Sequence, residues 1–162
     1  MAAHIREFQE SDLIRVQDIA AAAWVPVFSS FQKLVGDAIF DLAFPQWEDE
    51  QRRLVGEACH GDNSLPAWVA LDGGEIAGFV TVELNHESGK GEISFNAVHP
   101  HFQNRGIGTH MYTFVLDWLK GQGMKVISVS TGGDPSHAPA RRAYEKAGFT
   151  CAIPSVRYYL EI

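Results

Sequence analysis

A short loop of the sequence has the residue types that bind a phosphate group. Residues 98–109 read Val-His-Pro-His-Phe-Gln-Asn-Arg-Gly-Ile-Gly-Thr and lie between a strand predicted over 92–98 and a helix predicted over 106–120. The first N–H groups of a helix lack intrahelical acceptors and lie at the positive end of the helix dipole. Glycines at 106 and 108 let a ligand approach these groups without meeting a Cβ atom. The loop therefore predicts a pyrophosphate site at a helix N-terminus.

Three kinds of phosphate-binding loop can be compared with this one. A P-loop requires Gly-x-x-x-x-Gly-Lys-Ser/Thr, which the chain lacks. A dinucleotide-binding loop requires a third small residue at position 111, where this chain has Met111. The pattern that matches is Gln/Arg-x-x-Gly-x-Gly over 103–108. In this segment the chain resembles the GNAT superfamily of acyl-CoA-dependent N-acetyltransferases.

A second motif favours the same resemblance. Residues 140–149 read Ala-Arg-Arg-Ala-Tyr-Glu-Lys-Ala-Gly-Phe, and GNAT proteins typically have a helix that ends in Tyr-Glu-Lys-x-Gly-Phe, followed by a last pair of strands. The order of elements also agrees, because one helix and one strand (125–131) are predicted between the two motifs and a strand is predicted over 155–162. The resemblance is specific over about 88–162 and looser over 1–87.

The resemblance implies that acetyl-CoA is the acyl donor, although a longer acyl group also fits the motifs. In GNAT proteins the pantetheine arm pairs with the end of the fourth strand, and the pyrophosphate meets the loop and the first turn of the next helix. The implied donor-binding residues are Asn96, Ala97, Val98, Gln103, Asn104, Arg105, Gly106, Ile107, Gly108 and Thr109. Arg105 could make a charge-assisted contact with phosphate or could be a solvated surface residue. Thr109 could bind phosphate through its hydroxyl or could be an ordinary residue of a helix start.

Transfer of an acyl group from a thioester to an amine requires a neutral amine, a stabilised oxyanion and a proton for the leaving thiolate. Glu92 lies eleven residues before Gln103, the spacing of the catalytic glutamate in several GNAT enzymes, and it is the expected base. Glu83, on the neighbouring strand, is the second candidate, and either residue could instead be a surface carboxylate. Tyr144 matches the tyrosine that faces the CoA sulfur, and a phenol with a pKa near ~10 can protonate a thiolate. The alternative is that Tyr144 only packs against the cofactor, and the backbone N–H of Val98 is the expected oxyanion donor.

One position departs from the GNAT pattern. These proteins usually have asparagine seven residues before the tyrosine, where it binds pantetheine, and here that residue is His137. A ring nitrogen could keep the hydrogen bond to the cofactor, could act as a base because histidine titrates near neutral pH, or could have a purely structural role. Asp134 either orients His137 or caps the following helix.

The elements that must position these residues follow from the residue patterning. The pattern predicts a strand over Ile5–Phe8, a helix after Ser11-Asp12, helical regions over 28–44 and 48–60, and three strands over 68–71, 75–84 and 91–98. Asp72-Gly73-Gly74 predicts a hairpin between the first two of those strands. This order is that of an α/β (α+β) GNAT fold in one domain, 1–162. The resemblance implies a mixed, mainly antiparallel sheet flanked by helices and splayed between strands 4 and 5.

Composition narrows the function class further. The chain has 162 residues, of which 46% are hydrophobic and 20% charged, as in an ordinary globular domain. Neither a signal peptide nor a run of 18 apolar residues is present, so a cytoplasmic location without membrane contact is expected. A net charge of −7 argues against a nucleic-acid partner. Cys59 and Cys151 have no metal-ligand spacing, so they are expected to be free thiols and no metal site is assigned.

The acceptor amine is the least determined part of the prediction. In GNAT proteins the first two helices wall the acceptor site, and here that region holds six large aromatic residues, Trp24, Phe28, Phe31, Phe40, Phe44 and Trp47. They form either ordinary core or an apolar-walled pocket edged by Asp37, Asp41 or Glu48. A small-molecule amine is favoured over a protein N-terminus or lysine, and a non-catalytic acyl-CoA-binding module is the competing class. A homodimer formed through residues 155–162 is a further expectation from the resemblance.

Overall fold

Five strands form one sheet whose spatial order follows the chain. In the computed structural model, which describes residues 3–162, the strands are β1 (His4–Glu7), β2 (Ala67–Asp72), β3 (Glu75–Asn85), β4 (Lys90–Val98) and β5 (Val126–Val129). They lie in the order β1-β2-β3-β4-β5. The first three pairings are antiparallel, and the pairing of β4 with β5 is parallel. The predicted mixed, mainly antiparallel sheet is therefore confirmed.

The strands β4 and β5 separate halfway along β4. Their pairing runs from Lys90 opposite Val126 to Ile93 opposite Val129, and beyond it no strand of the described chain lies on that side of β4. A bulge accompanies the separation, since the pairing of β4 with β3 shifts register beside Thr81. The Thr81 hydroxyl accepts from the N–H of Phe95 at 2.9 Å and donates to its carbonyl at 3.2 Å. A bulge bends its strand, so β4 turns away from β5 and leaves the predicted opening.

Five α-helices cover the two faces of the sheet. They are α1 (Leu13–Val35), α2 (Asp37–Ala43), α3 (Trp47–Cys59), α4 (Ile107–Gly121) and α5 (Ala138–Ala147), with 3-10 turns at Glu10–Asp12, Pro100–Phe102 and Pro135–His137. Successive residues of a strand point to opposite faces. Phe79 therefore packs with Val16, Ile19 and Val55 from α1 and α3, and Val80 packs with Met111, Val115 and Leu119 from α4. Two core layers thus hold the sheet, one on each face.

The first helix is longer than the sequence pattern predicts. A boundary was expected before Phe28, but α1 continues to Val35 through Pro26. Proline has no N–H and removes one helical hydrogen bond, yet Val27 and Phe28 directly after it are buried and hold the helix in place. The helix ends at Gly36, whose φ of +82° is accessible to glycine at little cost. The predicted single helix over 28–44 is therefore the end of α1 followed by the separate helix α2.

The prediction of a strand over 155–162 is wrong. The described residues after Phe149 form neither strand nor helix, and the apolar side chains of Val156, Tyr158 and Leu160 are 83%, 89% and 86% exposed. The segment has the alternating pattern of a strand, but a strand requires a paired neighbour for stability, and the described part of the sheet ends at β5. No helix within residues 3–162 has the length and apolar character needed to cross a bilayer.

Candidate active site

A cavity of about 470 Å³ lies beside the end of β4. Its walls come from α1, the last residues of β4, the loop that follows, the first turn of α4 and one face of α5. Ten of the eleven residues predicted to bind the acyl donor line it: Asn96, Ala97, Val98, Gln103, Asn104, Gly106, Ile107, Gly108, Thr109 and His137. Residues 41 positions apart in the sequence therefore meet around one space.

The backbone of β4 presents hydrogen-bonding groups to the opening. The N–H groups of Phe95 and His99 donate toward β3, to Thr81 Oγ1 at 2.9 Å and to the Ala77 carbonyl at 2.8 Å. Because N–H groups alternate between the two edges of a strand, those of Asn96 and Val98 face the open edge. The Val98 carbonyl accepts from Gln103 Nε2 at 3.0 Å, so Gln103 fixes the loop to the strand end.

The start of α4 supplies a second row of donors. Within residues 3–162, none of the backbone N–H groups from Asn104 to Thr109 donates to a protein acceptor. Asn104 and Gly106 have φ values of +63° and +79°, and such left-handed residues curl a loop so that successive N–H groups face one side. A Cβ atom at Gly108 would lie 3.7 Å from the Tyr112 ring and 3.8 Å from the Val98 side chain, in space that the glycine leaves to a ligand. The donor set and the free space fit a pyrophosphate.

Arg105 does not line this cavity. Its guanidinium donates to Asp72 Oδ2 at 2.9 Å and to the His101 carbonyl at 3.1 Å, and it lies 5.2 Å from the centre of the Phe102 ring. These contacts tie the loop to the β2–β3 hairpin. A phosphate contact of Arg105 stays a prediction, since the guanidinium in this structure contacts Asp72 and the His101 carbonyl.

Two tyrosines share one amide oxygen at the strand edge. The hydroxyls of Tyr112 and Tyr144 donate to Asn96 Oδ1 at 2.8 and 3.2 Å, and their ring centroids are 4.8 Å apart. Burial raises the pKa of Tyr144, against the opposing effect of its hydrogen bonds with Asn96 and Tyr112. Burial also raises the pKa of Tyr112 well above its ordinary value. Both phenols are therefore protonated at neutral pH, with the Tyr144 proton directed to a residue that lines the cavity.

A hydrogen-bonded network surrounds Asp134 next to the cavity. Its carboxylate contacts His137 Nδ1 at 2.5 Å and accepts from Ser30 Oγ at 2.8 Å, from the Ser136 N–H at 3.1 Å and from the Ser136 hydroxyl. Burial acts to raise the pKa of Asp134, but the hydrogen bonds from Ser136, Ser30 and His137 hold it well below its usual range. Arg141 Nη1 donates to the carbonyls of Gly132 and Asp134. The network joins α1 to the turn that precedes α5.

The two predicted carboxylates lie together but away from the cavity lining. Glu83 and Glu92 are directly opposite each other on β3 and β4, and Ser128 of β5 is opposite Glu92 on its other side. The Ser128 hydroxyl donates to Glu92 Oε2 at 3.3 Å. Glu92 is half-buried and Glu83 is exposed. The structure therefore brings these three residues into one row just before β4 and β5 part.

Five of the six aromatic residues named for the acceptor region pack together, and the sixth, Trp24, packs against Phe95 instead. Phe28 stacks on Trp47 at 4.2 Å and meets Phe31 and Phe44 edge-on at 5.6 Å. This packing agrees with the core interpretation for part of the set, whereas Trp24 lines the donor cavity. A second cavity of about 420 Å³ lies at the far end of the cluster, and its walls are Phe40, Asp41, Phe44, Pro45, Gln46, Trp47, Glu48 and Asp49. Asp37 does not line it and instead accepts from Gln32.

Several polar and aromatic residues that line this cavity were not predicted to bind the donor, among them Tyr112, Arg142 and Lys146. Arg142 and Lys146 are one helical turn apart on α5, line the cavity and take part in no ion pair among the described residues. Tyr112 and Trp24 also line it. The signal for Tyr112 was its position four residues after Gly108, which places both on one face of a helix. Among residues 3–162 no group of three or more His, Cys, Asp or Glu side chains is placed to hold a metal ion.

Comparison with known proteins relates this chain to one protein family. The model of the acetyltransferase (GNAT) family matches residues 32–149. No curated protein matches the chain at a significant level. Among solved structures, a PaiA N-acetyltransferase from Thermoplasma acidophilum in complex with coenzyme A superposes with a TM-score of 0.69 at 15% identity, covering 93% of this chain and 91% of that one.

Two further structures show the same fold. The ribosomal-protein-S18-alanine N-acetyltransferase from Escherichia coli has a TM-score of 0.66 at 18% identity, covering 93% of this chain and 79% of that chain. An aminoglycoside acetyltransferase from an uncultured soil metagenomic sample, in complex with sisomicin, has a TM-score of 0.57 at 17% identity, covering 99% of this chain and 96% of that chain. The fold therefore occurs in enzymes with protein acceptors and in enzymes with small-molecule acceptors.

Proposed function

Because the chain belongs to the acetyltransferase (GNAT) family and is therefore an acyltransferase, we propose that it transfers an acetyl group from acetyl-CoA to the primary amine of a small molecule. One observation carries the proposal. A single cavity joins the open edge of β4, the free N–H groups at the start of α4 and the Asn96 amide to which the Tyr144 phenol donates. These are the groups that a phosphorylated thioester and its departing thiolate require.

The donor is proposed to bind in two parts. The N–H groups of residues 104–109 would bind the pyrophosphate, because an anion at a helix N-terminus gains from hydrogen bonds and from the helix dipole. The backbone of Asn96, on the open edge of β4, would pair with the amides of the pantetheine arm, as an added strand pairs with an open sheet edge. His137 lines the same cavity.

Tyr144 is the proposed proton donor to the leaving thiolate. Its phenol is 6% exposed and protonated at neutral pH, so it has a proton to donate to the sulfur as the C–S bond breaks. The Val98 N–H, which faces the open edge, is the proposed donor to the oxyanion. Tyr112 stays bonded to Asn96 at 2.8 Å, so the amide keeps its position when the Tyr144 bond breaks.

Glu92 is one candidate base for the acceptor ammonium, and its distance from the site limits how it could act. A strand rises about 3.3 Å per residue, so the four-residue step from Glu92 to Asn96 covers roughly 13 Å. Direct proton transfer requires hydrogen-bond distance, and a carboxylate so far from the Tyr144 contact can act only through bridging water. Glu83, directly opposite, would add a second negative charge to the path of a cationic acceptor.

The acceptor class is proposed from the second cavity. Aromatic walls formed by Phe40, Phe44 and Trp47, with Asp41 and Glu48 beside them, suit an apolar molecule that carries an amine, since ring faces and carboxylates both attract an ammonium group. A cavity of about 420 Å³ has the size of a small-ligand site. A protein N-terminus or lysine is the alternative acceptor.

The test combines donor binding with turnover. Isothermal titration of acetyl-CoA should give micromolar binding, and a panel of small amines should release free CoA thiol. Tyr144→Phe should keep the dissociation constant for CoA and lower kcat by about 10²-fold, the contribution expected of one positioned acid. Binding without acetylation of any small amine or peptide would identify a non-catalytic acyl-CoA-binding module, and no binding by the folded protein would exclude the donor site itself.

A further inference from the structure

The imidazole of one residue that lines the donor cavity is oriented by a carboxylate. His137 Nδ1 lies 2.5 Å from Asp134 Oδ1, so the carboxylate accepts the Nδ1 proton and the lone pair remains on Nε2. The other carboxylate oxygen, Asp134 Oδ2, accepts from Ser30 Oγ and from the Ser136 N–H. Both oxygens of the carboxylate are thus fixed, and the carboxylate fixes the orientation and the tautomer of the ring.

The same ring lies between the donor cavity and the aromatic cluster. His137 lines the cavity with Asn96 and Val98, and its ring centroid is 6.0 Å from that of Phe31. Phe31 in turn lies 5.6 Å from Phe44, which walls the second cavity. An amine that approached the donor from the aromatic side would therefore pass beside this imidazole.

Tyr144 lies on α5, the helix that begins directly after His137. Seven residues, or two helical turns, separate it from His137, a rise of about 10 Å. Helical side chains lean toward the N-terminus, so the Tyr144 phenol extends back from its own turn toward the turn of His137. The reacting thioester would then have the phenol on its sulfur side and the imidazole on the side from which the amine arrives.

We propose that His137 Nε2 takes the proton of the acceptor ammonium and that Asp134 is its positioning residue, an assignment that rests on the proposed acetyl transfer. One ammonium proton passes to Nε2, and the free amine forms its bond to the acetyl carbon. When the C–S bond breaks, the thiolate takes the Tyr144 proton. The second nitrogen proton, lost as the amide forms, restores the phenol, and the Nε2 proton leaves to water, so each turnover releases one proton.

The charges around the ring come from few residues. Asp134 is the carboxylate in contact with it, whereas Arg142 and Lys146 of α5 are the cations that line the same cavity. Arg141 donates to the carbonyls of the turn. The α1 residues nearest the network, Ser30 and Phe31, are uncharged. Removal of Asp134 would therefore leave the imidazolium facing cations without a compensating anion.

The discriminating variant is His137→Asn. Asparagine can hydrogen-bond to pantetheine but does not accept a proton near neutral pH, so the variant separates cofactor contact from base catalysis. We expect the dissociation constant for CoA to stay within about threefold of the wild type and kcat/KM for the best amine to fall by about 10²–10³-fold. His86→Gln, in the exposed turn between β3 and β4, is the matched control and should change neither value. An active wild type with an equally active His137→Asn variant would overturn the assignment.

Asp134→Asn tests whether Asp134 positions His137. The pH profile of kcat/KM and the tautomer of the ring are measured, because a purely structural role of Asp134 would change neither. Loss of the carboxylate disfavours the imidazolium, so the ascending limb of the pH profile of kcat/KM should shift to lower pH while CoA binding persists. NMR of the 15N-labelled full chain should report an Nδ1-protonated ring in the wild type and a mixture of tautomers in the variant. An unmoved limb and tautomer would overturn the role of Asp134.

Glu92→Gln separates the two candidate bases. Retention of more than half of the wild-type kcat/KM supports His137, and a hundredfold loss in Glu92→Gln together with an active His137→Asn variant overturns it. If the wild type binds CoA but acetylates no amine, the proposed function itself fails, and this outcome is distinct from an active enzyme that does not need His137.

Discussion

Two glycines of one loop are expected to respond in opposite ways when each is replaced by alanine. Gly108 lies inside the first turn of α4, and an ideal Cβ at this position makes only ordinary contacts of 3.7–3.9 Å with Tyr112 and Val98. Alanine therefore fits the folded chain and restricts the unfolded one, so Gly108→Ala should raise the free energy of unfolding by up to about 1 kcal/mol. Gly106 has a φ of +79°, and Gly106→Ala should lower it by about 1–2 kcal/mol because a Cβ is strained in that conformation.

In these two variants the change in CoA affinity should not follow the change in the free energy of unfolding. The methyl group that Gly108→Ala introduces would occupy the space between two residues that line the donor cavity and would push a pyrophosphate away from one or two N–H donors. A hydrogen bond to a charged group contributes about 1.5–3 kcal/mol, so CoA affinity should fall by about tenfold to a few hundredfold. Gly106→Ala has open space around its Cβ, and its folded fraction should bind CoA with a much smaller loss.

Urea unfolding and isothermal titration of the same two protein samples measure both quantities. The diagnostic result is a Gly108→Ala variant that is more stable than the wild type and binds CoA less tightly. A Gly108→Ala variant with unchanged CoA affinity would refute the placement of the pyrophosphate at this helix start. A loss of stability above 1 kcal/mol would instead refute the packing on which the argument depends.

Three further outcomes are expected. The double replacement of Arg142 and Lys146 by glutamine should weaken CoA binding by about tenfold and flatten its dependence on salt, because two cations that line the cavity would no longer meet the phosphates; unchanged titrations would contradict this. Burial raises the pKa of Cys59 to about 12 whereas Cys151 is exposed, so a thiol reagent should label one cysteine in the native chain and two in urea. The pKa of Asp12 is lowered, mainly by its hydrogen bonds with the β1 arginine and against the effect of burial, so Asp12→Asn should cost about 1–3 kcal/mol near pH 7. Because this stabilisation is present above the unfolded-state pKa and is lost as pH falls through the lower folded-state pKa, unfolding curves of wild type and variant should converge as the pH falls below that folded-state pKa.

Local signals predicted most of the sheet and the phosphate-binding loop. The β2–β3 hairpin follows from Asp72-Gly73-Gly74, and the helix start at Ile107 follows from its two flanking glycines, because turn chemistry is decided by a few adjacent residues. The end of α1 was placed wrongly, because the burial of Val27 and Phe28 that holds the helix together beyond Pro26 is a tertiary effect.

Contacts between distant residues limited the prediction of the site. Asn96 was identified only for its backbone, since its bond with Tyr144 joins positions 48 residues apart. Arg105 forms an ion pair with Asp72, 33 residues earlier in the chain, and no feature of the loop sequence predicts this partner. The prediction of a strand over 155–162 was wrong for a related reason. An alternating pattern shows only that a segment could form a strand, and pairing with a neighbouring strand decides whether it does.

The length of α1 has a mechanical consequence. Its 23 residues extend about 35 Å, and one helix packs on the sheet at Ile19, walls the donor cavity at Trp24 and bonds the Asp134 network at Ser30. Such a rod cannot move at one of these places without moving at the others. Gly36 ends the rod, and the residues of the second cavity begin only after it. Substitutions beyond Gly36 can therefore reshape the second cavity without moving α1, whereas a shift of α1 would act at three places of the first cavity and its surroundings at once.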